Sequence, residues 1–170
     1  MRGELLMIDF LRTNPFVKWA LLLIRVYLGW KWLSAGIKKY QSGSFDSSGL
    51  LKGAIANANS ERPTIPDWWG GFLESFALPN VDLFNFIVPL GEVLVGLGLI
   101  VGLFTRTAIF FGLFMNFAFV LSGAVSANPV MIILSLFVLV SLHESGKVGV
   151  DGILRKKQFT LFKRGQTSAV

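Results

Sequence analysis

Long runs of apolar residues dominate this chain and restrict the folds open to it. Four such stretches lie at about residues 17–37, 83–104, 107–125 and 129–143. A helix needs about 20 apolar residues to cross the roughly 30 Å hydrocarbon core of a bilayer. Only 15% of the residues are charged, whereas about 25% are charged in an ordinary soluble domain. The pattern predicts an all-α integral membrane protein with four transmembrane helices, of which the fourth is the shortest.

The connections between these stretches predict how the helices pack. Residues 105–107 join the second stretch to the third, and residues 126–129 join the third to the fourth. Pro129 is suited to the first turn of the fourth helix. Turns this short make successive helices antiparallel neighbours. We therefore expect one domain, residues 1–154, folded as an up-down four-helix bundle.

The long segment between the first two helices, residues 38–82, is expected to hold short helices. Residues 41–48 are rich in Ser and Gly and indicate a loop, and a short helix is expected within residues 45–58. Residues 65–76 have an amphipathic pattern that begins near Pro66 and includes Trp68 and Trp69. Adjacent tryptophans suit the headgroup region, because the ring is buried while its N–H stays hydrated. We expect this segment to lie on the extracytoplasmic membrane face, with a packed extramembrane loop as the alternative.

The basic residues predict the orientation of the chain in the membrane. With four spans, both termini and the Arg106 turn share one side, and that side holds most of the basic residues. Because Lys and Arg stay on the cytoplasmic side, both termini are predicted to be cytoplasmic in a bacterial-type cell membrane. The basic tail, residues 155–170, is expected to contact anionic membrane lipid. Basic residues gathered at chain ends and beside apolar runs argue against nucleic acid as a partner.

The chain contains no cysteine and one histidine, His143. Thiol chemistry, disulfides and cysteine-ligated metal clusters are therefore excluded for this chain, and no metal site with two histidine ligands is expected. His143 precedes Glu144 near the predicted cytoplasmic interface, where a helix C-terminus favours a charged imidazole. That simple role is the prediction, with a proton relay between the two residues as the alternative.

Several polar side chains fall inside the predicted spans: Arg25, Lys31, Glu92, Asn116 and Ser135. A charge near the bilayer centre costs at least about 2.5–3.5 kcal/mol on insertion scales, so the chain must need these groups for structure or function. At about 1.5 Å of rise per residue, counted from the cytoplasmic ends, one residue of each helix comes to a depth of about 12–18 Å. We therefore expect a single polar layer across the bundle.

Two interpretations of Arg25 and Glu92 stay open. They form a buried ion pair that fixes the register of the first two helices, or they bind a substrate together with Asn116. Lys31 either pairs with Glu92 or extends outward to the membrane surface.

The glycines of the second span predict close helix packing. Gly98 and Gly102 form a small-xxx-small pair, which lets a second helix approach closely. The glycine string follows no predicted strand, so it is not a dinucleotide-binding motif.

Several motifs occur along the chain in a set order: the first span from Leu22 to Lys39, PDWW at residues 66–69, PLGE at 89–92, FTR at 104–106, MNF at 115–117 and GVDG at 149–152. In order and spacing, these motifs resemble the DoxX/DoxD-like membrane proteins over residues 20–154. The resemblance implies a four-helix membrane bundle and a link to quinone-dependent redox systems, including the membrane subunit of thiosulfate:quinone oxidoreductase. The loop at residues 42–82 is similar to that of the thiosulfate dehydrogenase-like branch.

Together these features lead to the hypothesis of a quinone-linked membrane subunit with no covalently bound cofactor. Glu92 is predicted to carry protons, and the predicted substrate-binding residues are Arg25, Asn116, Lys31, Trp32, Trp68 and Trp69. Electrons are expected from a soluble or membrane redox partner subunit, and homo-oligomers are compatible with this hypothesis. The alternative is a non-enzymatic scaffold that binds partners of a redox or detoxification complex. A small-solute transporter is disfavoured because four spans without an internal repeat leave little room for a pathway.

Overall fold

The computed structural model describes residues 15–43, 45–140, 149–152 and 154, and within these residues the fold is helical without strands. The helices are α1 (Pro15–Gln41), α2 (Ser48–Ala58), α3 (Asp67–Phe72), α4 (Val81–Val101), α5 (Thr105–Leu121) and α6 (Asn128–Val140), and a π-helical turn (Leu73–Ala77) follows α3. The predictions for His143, Glu144 and the tail at residues 155–170 lie outside the described residues.

Among the described residues, two helices are long and apolar enough to cross a membrane: the part of α1 from Trp19 to Gln41, and α4. Helices α5 and α6 are also apolar but shorter, with 17 and 13 residues. Each helix lies where the sequence predicts a span. Two helix ends differ by four residues: α1 continues through Lys38 and Lys39 to Gln41 instead of ending near residue 37, and α5 ends at Leu121 instead of near residue 125.

Helices α1 and α4 form the most extensive contact between elements, and glycines make it close. A Cβ atom added to Gly96 would lie 2.5 Å from the backbone nitrogen of Leu33, and one added to Gly36 would lie 2.9 Å from the carbonyl oxygen of Pro89. Gly29 faces Gly96 in the same way, at 2.9 Å from its carbonyl oxygen. The backbones of α1 and α4 are therefore in contact at two places along the helices, at Pro89 and at Gly96. These contacts fix the antiparallel register of the two helices.

Gly98 and Gly102, the predicted small-residue pair of α4, have different roles. Gly98 packs against α5, because a Cβ there would lie 3.1 Å from the Cβ of Ala108. Gly102 instead ends α4 in the left-handed conformation, with φ at 70°, and its N–H donates to the carbonyl of Gly98 at 2.9 Å. The expected close packing is found at Gly98, while Gly102 is a C-cap that suits a residue without Cβ.

Apolar side chains occupy both the interior and the outer surface of the packed helices α1, α4, α5 and α6. Leu28, Trp32, Leu99, Ile109 and Val138 are buried between them. Large apolar residues are also exposed on every one of these helices, among them Leu23, Leu94, Phe114 and Phe137. Helices that are apolar on all sides are typical of a membrane environment.

The segment between α1 and α4 folds into a small unit that we call the lid, comprising α2, α3 and the π-helical turn. Its buried residues, including Leu51, Ala54, Leu73 and Ala77, form a cluster of their own. The short helices expected within residues 45–58 and 65–76 are thus confirmed, although the second changes to π-helical geometry at Leu73. This turn is closed by the Leu78 N–H, which donates to the Leu73 carbonyl at 2.8 Å.

Side-chain hydrogen bonds attach the lid to the helices beneath it. The indole N–H of Trp69 donates to Ser122 Oγ, at the end of α5, over 3.0 Å. At the other side of the lid, the Ser47 N–H and hydroxyl both donate to Asn85 Oδ1 on α4, each over 2.7 Å. The lid is therefore fixed to both α4 and α5.

Candidate functional site

A buried acid–base pair joins the end of α1 to the middle of α4. Lys39 Nζ donates to both carboxylate oxygens of Glu92, at 2.6 and 2.7 Å. Glu92 is only 2% exposed, whereas the Lys39 side chain is 24% exposed. The local sequence explains why Lys39 reaches Glu92. Gly36 lets α1 pack closely against α4, and Lys39 lies one turn later on the same face of α1.

Aromatic rings complete the surroundings of the ammonium group. Lys39 Nζ lies 5.3 Å from the ring centroid of Phe45 and 6.0 Å from that of Phe119. Both distances are within the range of cation–π attraction. The Lys39 ammonium is thus held by one carboxylate and two aromatic faces.

A cleft of about 450 Å³ opens beside this pair at the lid end of the bundle. Lys39 and Glu92 line it together with Trp32 and Phe119. Its charged lining residues are three lysines and one glutamate, so positive charge is in excess; the two further lysines are Lys31 and Lys38. A concave site with a few polar groups on apolar walls is the usual form of a small-molecule site.

Arg25 lies beside the C-terminal end of α4, whereas Glu92 lies in the middle of that helix. A Cβ atom on Gly102 would lie 2.9 Å from Arg25 Nη2, and the buried guanidinium interacts electrostatically with Asp151. Glu92 is about 15 Å away from Gly102 along α4, at a rise of about 1.5 Å per residue. The expected single polar layer is therefore wrong, and Arg25 and Glu92 are not a pair.

Asp151 connects the chain after α6 to the turn between α4 and α5. Its carboxylate accepts hydrogen bonds from the Phe104 and Thr105 N–H groups, at 3.0 and 2.9 Å, and its own N–H donates to the Gly102 carbonyl at 2.9 Å. A carboxylate at the start of α5 satisfies N–H groups that have no partner within the helix. Arg25 and Asp151 thus belong to a structural joint.

Asn116 lies on α5 near the level of Glu92. It is completely buried, and its Nδ2 and Oδ1 atoms have no hydrogen-bond partner within the described part of the chain. Its neighbour Met115 approaches Gly91, where a Cβ would lie 3.3 Å from the sulfur. A buried amide without partners costs free energy, so Asn116 is a candidate to bind a water molecule or a ligand. Ser135 is buried on α6.

The other predicted site residues are distributed between the cleft and the surface. Lys31 is exposed at the cleft, with its ammonium 5.6 Å from the Tyr27 ring centroid. Trp32 is buried and lines the cleft. Trp68 is 66% exposed on the lid, and Trp69 packs edge-to-face against it. Of the six predicted substrate-binding residues, only Lys31 and Trp32 line the cleft itself.

Lys39 was not among the predicted site residues, because residues 38–82 were expected to form the loop. Phe45 and Phe119 were missed as well, since nothing in an apolar or loop segment singles out one aromatic residue. For Lys39 a signal was present. Gly29 and Gly36 recur at the spacing of two helical turns, so they indicate the contact face of α1, and Lys39 continues that face.

A sequence model of the DoxX family matches residues 20–124, which is more than half of the chain. The chain belongs to the DoxX family. No curated protein and no solved structure matches it. Membership of the DoxX family and the two long apolar helices indicate a membrane protein. The matched range of this DoxX family protein contains Lys39, Glu92 and Asn116 and ends before Asp151.

Proposed function

We propose that this DoxX family protein is a membrane subunit that binds the head of a quinone in the cleft beside Lys39 and Glu92. The observation that carries the proposal is a buried carboxylate, paired with a partly exposed ammonium, in the wall of a cleft lined by aromatic residues. A carboxylate that can carry a proton and an ammonium that can donate a hydrogen bond therefore lie side by side in the wall of the cleft.

The proposal includes four membrane spans formed by α1, α4, α5 and α6. Both termini are then cytoplasmic, and the lid and the cleft face the other side of the membrane. The apolar outer surfaces of all four helices support this arrangement. The position of Arg106 also supports this orientation. Arg106 lies with Asp151 at the end of the bundle opposite the lid, and basic residues are expected on the cytoplasmic side.

The side chains at the cleft suit the two-proton chemistry of a quinone. Reduction of a quinone to a quinol takes up two electrons and two protons. Lys39 can donate a hydrogen bond to a quinone carbonyl oxygen, and Glu92 can accept and return a proton. Asn116 does not line the cleft, but its buried amide has no hydrogen-bond partner among the described residues and lies near the level of Glu92, so it is the proposed second donor through a bridging water molecule. Arg25 is not part of this site, since it lies at the C-terminal end of α4, about 15 Å along the helix axis from Glu92.

The two electrons have to come from a donor held by a partner subunit or a soluble protein, since the sequence carries no cofactor motif. The thiosulfate:quinone oxidoreductase branch that the loop resembles would make a reduced sulfur compound the donor. Without cysteine, this chain forms no covalent persulfide with such a donor. We therefore propose that the quinone site is on this chain and that donor oxidation takes place on its partner.

A scaffold without turnover is the second candidate, and one observation favours it. The carboxylate of Glu92 takes both of its short hydrogen bonds from Lys39, so the pair can serve purely to join α1 to α4. In that case the cleft is a binding surface for a partner subunit or for lipid.

The test is extraction of quinone from protein purified gently from a quinone-containing membrane. Bound quinone in a stoichiometric amount is expected for wild type, and a clear loss is expected for the Lys39→Gln/Glu92→Gln variant. The Arg25→Lys variant is the control, because it changes a buried cation far from the cleft. No quinone in wild type, together with a partner protein that co-purifies, would favour the scaffold.

A further inference from the structure

A second cavity of about 350 Å³ lies between the lid and the groove formed by α4 and α5. We call it the chamber. Its walls are almost entirely apolar and include Leu51, Trp69, Phe72, Phe84, Ile87 and Phe114. This volume is within the range of about 300–1,000 Å³ that is usual for ligand pockets.

The only polar side chains among the described residues that line the chamber are two serines, and both already hydrogen-bond within the protein. They are Ser47, whose hydroxyl donates to Asn85 Oδ1, and Ser122, whose oxygen accepts from the Trp69 indole. A ligand inside the chamber therefore meets few side-chain donors or acceptors. Because a polar group buried without a partner is costly, the chamber favours hydrocarbon.

The chamber adjoins the cleft at Lys39 and Glu92. Phe45, Leu50 and Phe119 line both cavities. On its outer side, Phe72, Ile87 and Phe114 are among the large apolar residues exposed at the surface. The chamber thus lies between a charged site and an apolar outer surface.

The π-helical turn supports a role in binding. Leu73 and Ala77, its first and last residues, both line the chamber and are almost completely buried. Single π-helical turns interrupt regular hydrogen bonding and occur frequently at functional sites. Here the turn is part of the lid wall that closes the chamber.

We infer that the chamber holds the hydrocarbon chain of an amphiphile, an isoprenoid tail, whose head lies at Lys39 and Glu92. This inference rests on the proposed function and adds a subsite to it. The head meets the one strongly polar part of the combined cavity, and the tail follows the apolar walls past Phe119 to the outer surface.

The experiment compares dissociation constants for a tail-less and a prenylated quinone with the same head, in the full chain reconstituted in nanodiscs. Ala118→Phe places a ring in the chamber, which Ala118 lines. It is expected to weaken binding of the prenylated quinone at least tenfold and to change that of the tail-less quinone less than twofold. Ala20→Phe is the matched control, because Ala20 is exposed on α1, and both dissociation constants should stay unchanged. Equal effects of Ala118→Phe on the two ligands, or no effect on either, would overturn the inference.

A second measurement separates failure of this inference from failure of the proposed function. A prenyl alcohol carrying a photoreactive diazirine on its tail is irradiated with the wild-type protein. Labelling of peptides that contain Phe84 and Phe114 is expected, whether or not quinone binds. Absence of quinone binding refutes the proposed function, whereas absence of labelling in the chamber refutes the hydrocarbon subsite.

Discussion

The ammonium of Lys39 lies 2.6 Å from Glu92 Oε1 and 2.7 Å from Oε2, and this pair links α1 to α4 beside the cleft. The two partners differ in exposure, since Glu92 is almost fully buried and Lys39 retains access to the cleft. This difference has consequences for stability that are measurable without any ligand.

Lys39→Gln is expected to destabilise the protein more than Glu92→Gln. Loss of Lys39 leaves a carboxylate buried without a counter-ion, which costs about 3 kcal/mol, the lower end of the range for broken buried pairs. Loss of the Glu92 charge leaves an ammonium that can turn toward the cleft, so a smaller loss is expected. Unfolding of both single variants and the double variant in detergent measures the two losses and their coupling. Equal losses that simply add in the double variant would contradict a coupled pair.

Gly96→Ala is expected to disrupt the contact between α1 and α4. The new Cβ would lie 2.5 Å from a backbone nitrogen of α1, so the helices must separate, at a cost of about 3 kcal/mol, the upper end of the range for overpacking. Gly53→Ala is the control, because nothing lies within 4 Å of its Cβ position in α2. There the change should stabilise by about 0.5–1 kcal/mol. Thermal unfolding in detergent compares the two, and a Gly96→Ala protein as stable as wild type would show that the contact is looser than described.

Asp151→Ala is expected to weaken the joint at the start of α5. The variant loses two hydrogen bonds to backbone N–H groups, and loss of a helix-capping side chain costs about 0.5–2 kcal/mol. The variant also removes the electrostatic partner of buried Arg25. The loss of stability is therefore expected near the upper end of this range. Asp151→Asn keeps one oxygen as an acceptor and should be milder. If both variants unfold like wild type, the segment at residues 149–152 does not hold the α4–α5 turn.

The Asp46 carboxylate predicts a pH dependence of stability at the start of α2. Two hydrogen bonds from Ser48, through its hydroxyl and its N–H at 2.6 and 2.9 Å, hold the pKa of Asp46 below its ordinary value of 3.8. A lowered folded-state pKa adds stability above the ordinary value, and that stability is lost as the pH falls below it. Asp46→Asn should therefore lower the melting temperature at pH 7 and have a smaller effect at about pH 2.5. An unchanged difference between wild type and variant at the two pH values would exclude this contribution.

The helices themselves were predictable because apolar runs and short turns are local features. The end of α1 was not, since Lys38 and Lys39 are charged and were assigned to the loop. The charge of Lys39 is compatible with the bundle because Glu92 neutralises it. That compensation comes from another helix, and no local pattern around residue 39 reveals it.

The prediction of a single polar layer was wrong for a similar reason. Helices α4 and α5 are joined by a tight turn, so the sequence correctly predicted Asn116 near the level of Glu92. Helices α1 and α4 are separated by the whole lid, and their register depends on which glycines meet. Gly36 at Pro89 and Gly29 at Gly96 set that register, which brings Arg25 to Gly102 and Lys39 to Glu92.

The most direct test of the account is the dissociation constant of a tail-less, fully substituted benzoquinone for the protein in nanodiscs. Wild type should bind it, and Lys39→Gln/Glu92→Gln should weaken binding at least tenfold, because the head loses its donor and the charged carboxylate at once. Arg25→Lys and Ala20→Phe should bind it like wild type. If the double variant retains its fold and binds the quinone with wild-type affinity, the cleft at Lys39 and Glu92 is not the quinone site.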